Sequence, residues 1–337
     1  MSIDSKINRQ WILKSRPTQG ALSNHNFDFI QSPIPALQEG EFLVKNRMIS
    51  CDPAQRVWLE RDSYIPAIPL NSVVPAMTVG EIIESKHPQF KVGSRISSPL
   101  GWQDYAISNG KGPFSTLPIP TQVTDEAALS IFGMTGLTAF FGMEDIGKPQ
   151  AGEVVVVSGA SGATGSIAAQ IAKLKGAKVI GIAGGAEKCA WLLDKAGITA
   201  AIDYKNEDVT KRLRELAPKG INVYYDNVGG PILDSVLTQL ALHARIVLCG
   251  GISNYDGKSN YSIHHHMNLV TTRSKMQGFL ISDYASKFQE GITALAAWLK
   301  ADKIIYEVDV QEGLENAPQT LQRLFDGKNL GKQLLKI

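Results

Sequence analysis

Residues 154–166 read VVVVSGASGATGS, and this stretch decides the fold. Val154–Ser158 is a continuous β-branched apolar run, of the kind buried on both faces of a parallel sheet. Gly165–Lys175 follows with Ile167, Ala168, Ile171 and Leu174 at helical spacing. Between strand and helix stand Gly159, Gly162 and Gly165, with Ala160 and Ser161 in the middle, so the pattern is not a strict GxGxxG. Glycine spacing alone is a weak signal, because glycines also mark ordinary turns. A strand before and a helix after change its meaning. Small residues let the backbone approach a pyrophosphate, and a helix beginning near Gly165 offers free N–H groups and a favourable dipole to an anion.

Downstream, strands and helices alternate. Strands are predicted at Lys178–Ala183, Ala201–Asp203, Val223–Asp226, Arg245–Gly250 and Lys275–Ile281, and helices at Glu187–Ala196, Glu207–Leu216, Ile232–Ala241 and Phe288–Lys300. That array is a doubly wound parallel sheet. Upstream, short β-prone runs such as Glu41–Ile49 and Val79–Glu84 are separated by Pro and Gly, which predicts an irregular β domain, and Asp125–Met143 reads as a small-residue helix leading into the array. Ile304–Val310, Leu314–Phe325 and Gln333–Ile337 read as strand, helix and strand that return to the first domain. The expected division is 1–128, 129–300 and 301–337.

Composition bounds the function. The chain has 337 residues, 44% of them hydrophobic, and 34 basic against 32 acidic side chains, so no field of one sign attracts nucleic acid or an anionic membrane. Cys51, Cys189 and Cys249 are too few and too scattered for a disulfide framework or a CxxC metal clip, and no run approaches the ~18 apolar residues of a membrane helix. The N-terminal stretch MSIDSKINRQW has no apolar signal region, which points to the cytoplasm.

The end of the second strand separates NAD from NADP, because an acid there accepts from a ribose 2′-hydroxyl and repels a 2′-phosphate. Gly184 and Gly185 occupy that point, Lys188 follows four residues after Gly184, and Tyr204 and Lys205 end the third strand. Missing acid and present base predict NADPH. The plain alternative for Lys188 is a solvated helix lysine.

The ordered motifs DPAQR (52–56), GWQDYA (101–106), GMTGLTAFFG (133–142), QIAKLKGAKVIGIAG (170–184), DNVGG (226–230), CGGISNY (249–255), MQGF (276–279), EGLENAP (312–318) and GKNLGK (327–332) resemble a known family over nearly the whole chain. It is the zinc-independent medium-chain dehydrogenase/reductase family that includes leukotriene B4 12-hydroxydehydrogenase/prostaglandin reductase and bacterial curcumin reductase. The resemblance implies a GroES-like β domain plus a Rossmann domain, and NADPH contacts at Gly162, Ala163, Thr164 and Gly165 for the pyrophosphate and Lys188 and Tyr204 for the 2′-phosphate. It further implies contacts at Asn227, at Cys249, Gly250, Gly251, Ile252, Ser253 and Tyr255, at Phe279, Leu280 and Ile281, and at Asn329. Asn227 and Asn329 equally suit turn hydrogen bonds, and Phe279 equally suits core.

The loop after Tyr255, DGKSNYSIHHHMN, departs from the proline-rich segment of relatives. Three adjacent histidines rarely converge on one ion, so His264–His266 read as a solvated loop. Cys51 has no neighbouring histidine, and Val79-Gly80-Glu81 lacks the histidine that a catalytic zinc site would place before the acid, so no metal is expected.

Without a Lewis acid, the natural chemistry is reduction of a C=C bond conjugated to a carbonyl: hydride to the β-carbon, hydrogen bonds to the enolate, and a proton to the α-carbon. Tyr255, at the end of the fifth strand, and Tyr64, in a loop of the first domain facing the cleft, are the candidate catalytic donors. Each has the alternative of a structural tyrosine bonded locally, and the cofactor ribose hydroxyl is a third donor. Met134 and Thr135 are expected to line the nicotinamide pocket. Quinone reduction and a non-catalytic NADPH-binding protein are the competing functions. The expected partners are a small enone or enal and a second copy in a homodimer.

Overall fold

The computed structural model describes residues 7–18, 20–112, 116–258 and 261–337, in two units. The unit carrying the glycine loop runs from Ser130 to Glu307 and takes in Leu330–Lys332. Among the described residues its sheet has six strands: β1 (Val154–Ser158), β2 (Lys178–Ala183), β3 (Ala200–Asp203), β4 (Ile221–Asp226), β5 (Leu240–Leu248) and β6 (Lys275–Gly278). All neighbours run parallel, in the order β3-β2-β1-β4-β5-β6. This is the Rossmann order, and its direction of winding reverses between β1 and β4, where a crevice opens at the strands' carboxyl ends. β1 lies between β2 and β4, which is why its run is apolar on both faces: Val155, Val156 and Val157 are fully buried, each worth about 1.5–3 kcal/mol of transfer free energy. Ile180, Ile182, Ile202, Tyr224 and Ile246 continue that core against Leu213, Val236 and Leu237 of the covering helices.

Several boundaries differ from the sequence expectation. The helix predicted to reach Ala241 spans Gly230–Leu237, and β5 already starts at Leu240. Leu240 pairs with Ile221, then the register shifts before Arg245 pairs with Val223, and His243 takes a left-handed φ of 60°. A bulge of this kind hides the period-two pattern that marks a strand. The stretch Asp125–Met143 is not one helix: Asp125–Leu129 and Met134–Phe141 are separate, followed by a π-helical turn at Gly142–Gly147. A side chain at Gly136 would stand 1.9 Å from the Ile131 carbonyl oxygen, so the chain folds back tightly before the second helix. Where a strand Ile304–Val310 was expected, the strand is Val308–Glu312.

The other unit runs to Leu129 and takes in Val308–Asn329 and Gln333–Ile337. Its main sheet centres on Phe42–Ser50, which pairs antiparallel with Thr78–Ser85, Tyr105–Ser108 and the C-terminal strand Lys332–Lys336. Trp11, Leu13, Phe27, Ile49, Cys51 and Trp102 share one core with Leu314, Leu321 and Leu335, and the Trp11 indole N–H donates to the Leu314 carbonyl at 2.7 Å. Asp125 takes Arg47 at 2.8 Å and Arg95 at 2.6 Å, which fastens the Asp125–Leu129 helix to this unit. The architecture is a GroES-like β unit and a Rossmann unit. Among the described residues, no helix is long and apolar enough to cross a membrane.

Candidate active site

The glycine loop closes on itself before the helix Ala163–Leu174 begins. Gly162 is the extended N-cap, and its N–H donates to Gly159 O at 3.0 Å. A side chain at Gly165 would stand 2.2 Å from Gly159 O and 2.9 Å from Ala160 Cα. Both are backbone atoms, so only glycine lets helix and loop pack this closely. Ala163, Thr164 and Gly165 then form the first turn, whose amides have no acceptor within the helix and face an incoming anion. The Gly331 amide donates to Ser161 O at 2.9 Å and steadies the loop's outer edge. Asn329, two residues earlier in sequence, belongs to the other unit.

At the end of β4, Asp226 is a junction that sequence reading did not single out within DNVGG. Its Oδ1 accepts from Ser158 Oγ at 2.8 Å, Tyr224 Oη at 2.7 Å, Val228 N at 3.0 Å and Gly229 N at 2.9 Å. Its carbonyl accepts from the Cys249 and Gly250 amides at 2.9 and 3.0 Å. One residue thus ties the ends of β1, β4 and β5 together. Asn227 donates through Nδ2 to Ser158 O at 2.7 Å, a bond from the end of β4 to the end of β1 and not within a turn, which leaves its side-chain oxygen available.

Beyond β5, Cys249 is half-buried and desolvation pushes its thiol up to about 12, which makes it a poor nucleophile. Ile252–Asn254 form a short helical turn held by Ser253, whose hydroxyl donates to Val228 O at 2.6 Å. Tyr255 Oη accepts from the Gly251 N–H at 3.0 Å, and its own proton has no acceptor among the described residues. Burial raises its pKa, with the Gly251 N–H pulling the other way, so the phenol stays protonated at neutral pH and can donate. Phe279 and Leu280 follow β6, Ile281 opens the next helical turn, and the Phe279 ring meets Tyr284 edge-on at 6.2 Å. In the β unit, Tyr64 is 50% exposed, its ring edge-on to Trp58 at 6.0 Å. Met134 and Thr135 begin their helix, Thr135 donating through its hydroxyl to Ser130 O at 3.2 Å.

At the far end of the crevice, Gly185 caps the helix Ala186–Asp194, and Lys188 lies in that helix's first turn, half-buried. Tyr204, 45% exposed, lays its ring across Gly184: a side chain there would stand 2.8–2.9 Å from the ring and its hydroxyl. Beside Gly185 a side-chain carbon would meet nothing within 4 Å, so the space between the turns is open. An acid does lie close by: Asp203, the last residue of β3, which the sequence reading passed over. The Gly185 amide, helped by Asn206 and Lys205, holds its carboxyl below the ordinary carboxylate range.

The histidine loop is exposed, as a solvated loop would be, and is also pinned by one buried carboxylate. Buried Asp234 accepts from the His264 and His265 amides at 2.9 and 2.8 Å and from Tyr261 Oη at 2.8 Å, and His265 Nδ1 stands 3.0 Å from its Oδ2. Ser259 and Asn260 of that loop lie outside the described residues. Among the described residues, no group of three or more His, Cys, Asp or Glu is arranged to hold a metal ion.

Residues 9–116 match the family described as the N-terminal domain of oxidoreductase, and residues 163–298 the family described as zinc-binding dehydrogenase. The NADPH-dependent curcumin reductase of Escherichia coli is 37% identical over 344 residues, covering 100% of this chain and 99% of that one. The chain is a zinc-independent medium-chain dehydrogenase/reductase. The family also includes the NADP(+)-dependent 2-alkenal reductase of Nicotiana tabacum, 37% identical over 88% of this chain and 87% of its own. The structure of CurA in complex with NADPH from Vibrio vulnificus superimposes with a TM-score of 0.92 at 40% identity, covering 97% of this chain and 98% of that one. In the family's terms the Rossmann unit is the cofactor unit, and the expected contact residues of that unit follow the carboxyl ends of its six parallel strands, β1 to β6.

Proposed function

We propose that the chain reduces the C=C bond of α,β-unsaturated ketones or aldehydes with NADPH. The observation that carries this reading is Tyr255, a protonated phenol at the carboxyl end of β5 whose oxygen is fixed by Gly251 and whose proton is left to donate. NADPH, when bound, supplies the hydride for the β-carbon. The chain's own work is then electrostatic. Tyr255, with Tyr64 as a second donor, stabilises the charge developing on the substrate carbonyl oxygen, where an aimed donor acts most strongly in the transition state. The first-turn amides of Ala163, Thr164 and Gly165 receive the pyrophosphate, and Lys188 and Tyr204 the 2′-phosphate. Asn227, the Cys249–Tyr255 segment, Phe279, Leu280, Ile281 and Asn329 complete the cofactor contacts. We assign residues 129–300 to the cofactor domain, and residues 1–128 with 301–337 to the substrate domain.

Purified protein is expected to oxidise NADPH with an enone or enal and to keep that rate after exhaustive chelation. Turnover of a quinone but of no enone overturns the reading in favour of quinone reduction, and dependence on a bound metal overturns the proposed chemistry.

We also propose a homodimer in the cytoplasm. β6 is an outer strand whose Lys275, Gln277 and Gly278 are exposed, and Met267 and Val270, at the cap and in the middle of the short helix before it, are 60% and 65% exposed. Unpaired strand edges and exposed apolar side chains favour association with another chain. Light scattering is expected to give twice the chain mass; a monomer at micromolar concentration removes the proposal.

A further inference from the structure

We infer that Asp203 is the positioning residue of the 2′-phosphate end of the cofactor site, fixing the spacing between the turn that leads to Lys188 and the turn that carries Tyr204. The inference rests on the proposed roles of Lys188 and Tyr204. Asp203 Oδ1 accepts from the Gly185 amide at 2.8 Å and from the Lys205 amide at 3.1 Å, and Oδ2 accepts from Asn206 Nδ2 at 2.7 Å. Its own amide donates to Glu207 Oε2 at 2.8 Å, and Glu207 is paired with Arg212 at 2.7 Å. One carboxylate therefore spans two separate βα turns. On one side it holds Gly185, the cap of the helix in which Lys188 sits three residues on; on the other it closes the turn that begins with Tyr204. The Tyr204 amide donates to Ala183 O at 3.1 Å, and its ring rests on Gly184, so a change in turn spacing would move the Tyr204 hydroxyl relative to Lys188.

An acid at this place has two opposed effects on a cofactor phosphate. Its charge repels the phosphate through space, whereas its hydrogen bonds hold the donors that receive it. The bracing effect is the larger here, because the carboxylate oxygens are already turned onto Gly185, Lys205 and Asn206, and such bonds to a charged group are strong. A hydroxyl-bearing ribose without the phosphate makes no use of the Lys188 to Tyr204 spacing. Asp203 should therefore govern the choice between NADPH and NADH while the chemical step is left alone.

Asp203→Asn separates the two effects. It keeps the shape and removes the charge; Asn206 can turn its amide to accept from the new nitrogen, but the bonds from the Gly185 and Lys205 amides fall from charge-assisted to neutral. The ratio of kcat/KM for NADPH to that for NADH is expected to fall roughly tenfold, with kcat at saturating NADPH within about twofold. Asn206→Ala, which loosens the same tie and leaves the charge, should move the ratio in the same direction by less. Each protein's cofactor-free melting temperature is measured alongside. A ratio that rises in Asp203→Asn shows that Asp203 acts only as an adverse charge and overturns the inference. So does an equal loss with both cofactors at an unchanged ratio, whether or not the melting temperature falls, which marks a residue that merely supports the fold. Wild-type preference for NADH, or a Lys188→Ala variant with an unaltered ratio, instead removes the pocket reading itself and this inference with it.

Discussion

Tyr255→Phe is expected to lower kcat for an enone about ten- to a thousandfold, the range for losing one donor aimed at developing oxyanion charge. The variant keeps the ring and loses the hydroxyl, and with it both the bond accepted from Gly251 and the proton offered outward. Because the loss falls on charge that exists only in the transition state, NADPH affinity should change far less than turnover. Stopped-flow reduction and cofactor titration on the same preparation separate the two. If kcat stays within about twofold of wild type, Tyr255 only shapes its loop, and Tyr64 or the cofactor ribose hydroxyl must supply the hydrogen bond.

Lys188→Ala should raise KM for NADPH roughly tenfold or more and leave NADH use almost unchanged. A 2′-phosphate carries about two negative charges at neutral pH, and a charge-assisted hydrogen bond to it contributes about 1.5–3 kcal/mol. At about 1.4 kcal/mol for each factor of ten, the lower figure already gives the expected effect. Tyr204 adds a neutral bond, so some NADPH preference should survive. Steady-state kinetics with each cofactor are decisive: an equal rise for both would mean that Lys188 supports its helix rather than a phosphate.

The sequence by itself determined the Rossmann half and where its glycine loop lies. Those signals are local. An apolar run buried on both faces, glycines between strand and helix, and Gly184 and Gly185 in place of an acid each concern residues a few positions apart, whose meaning follows from backbone sterics and burial. The same locality explains a misplaced element: the start of β5 at Leu240 depends on a pairing with Ile221. Only the tertiary structure decided what the polar side chains do. Asp203 reaches Gly185 across 18 positions, Asp226 reaches Ser158 across 68, and Asp234 reaches His265 across 31. A buried carboxylate must find donors wherever the fold brings them, because leaving it unsatisfied costs more than any local preference gains. Which donors those are depends on which chain ends the sheet order sets side by side, and that order is a property of the folded chain.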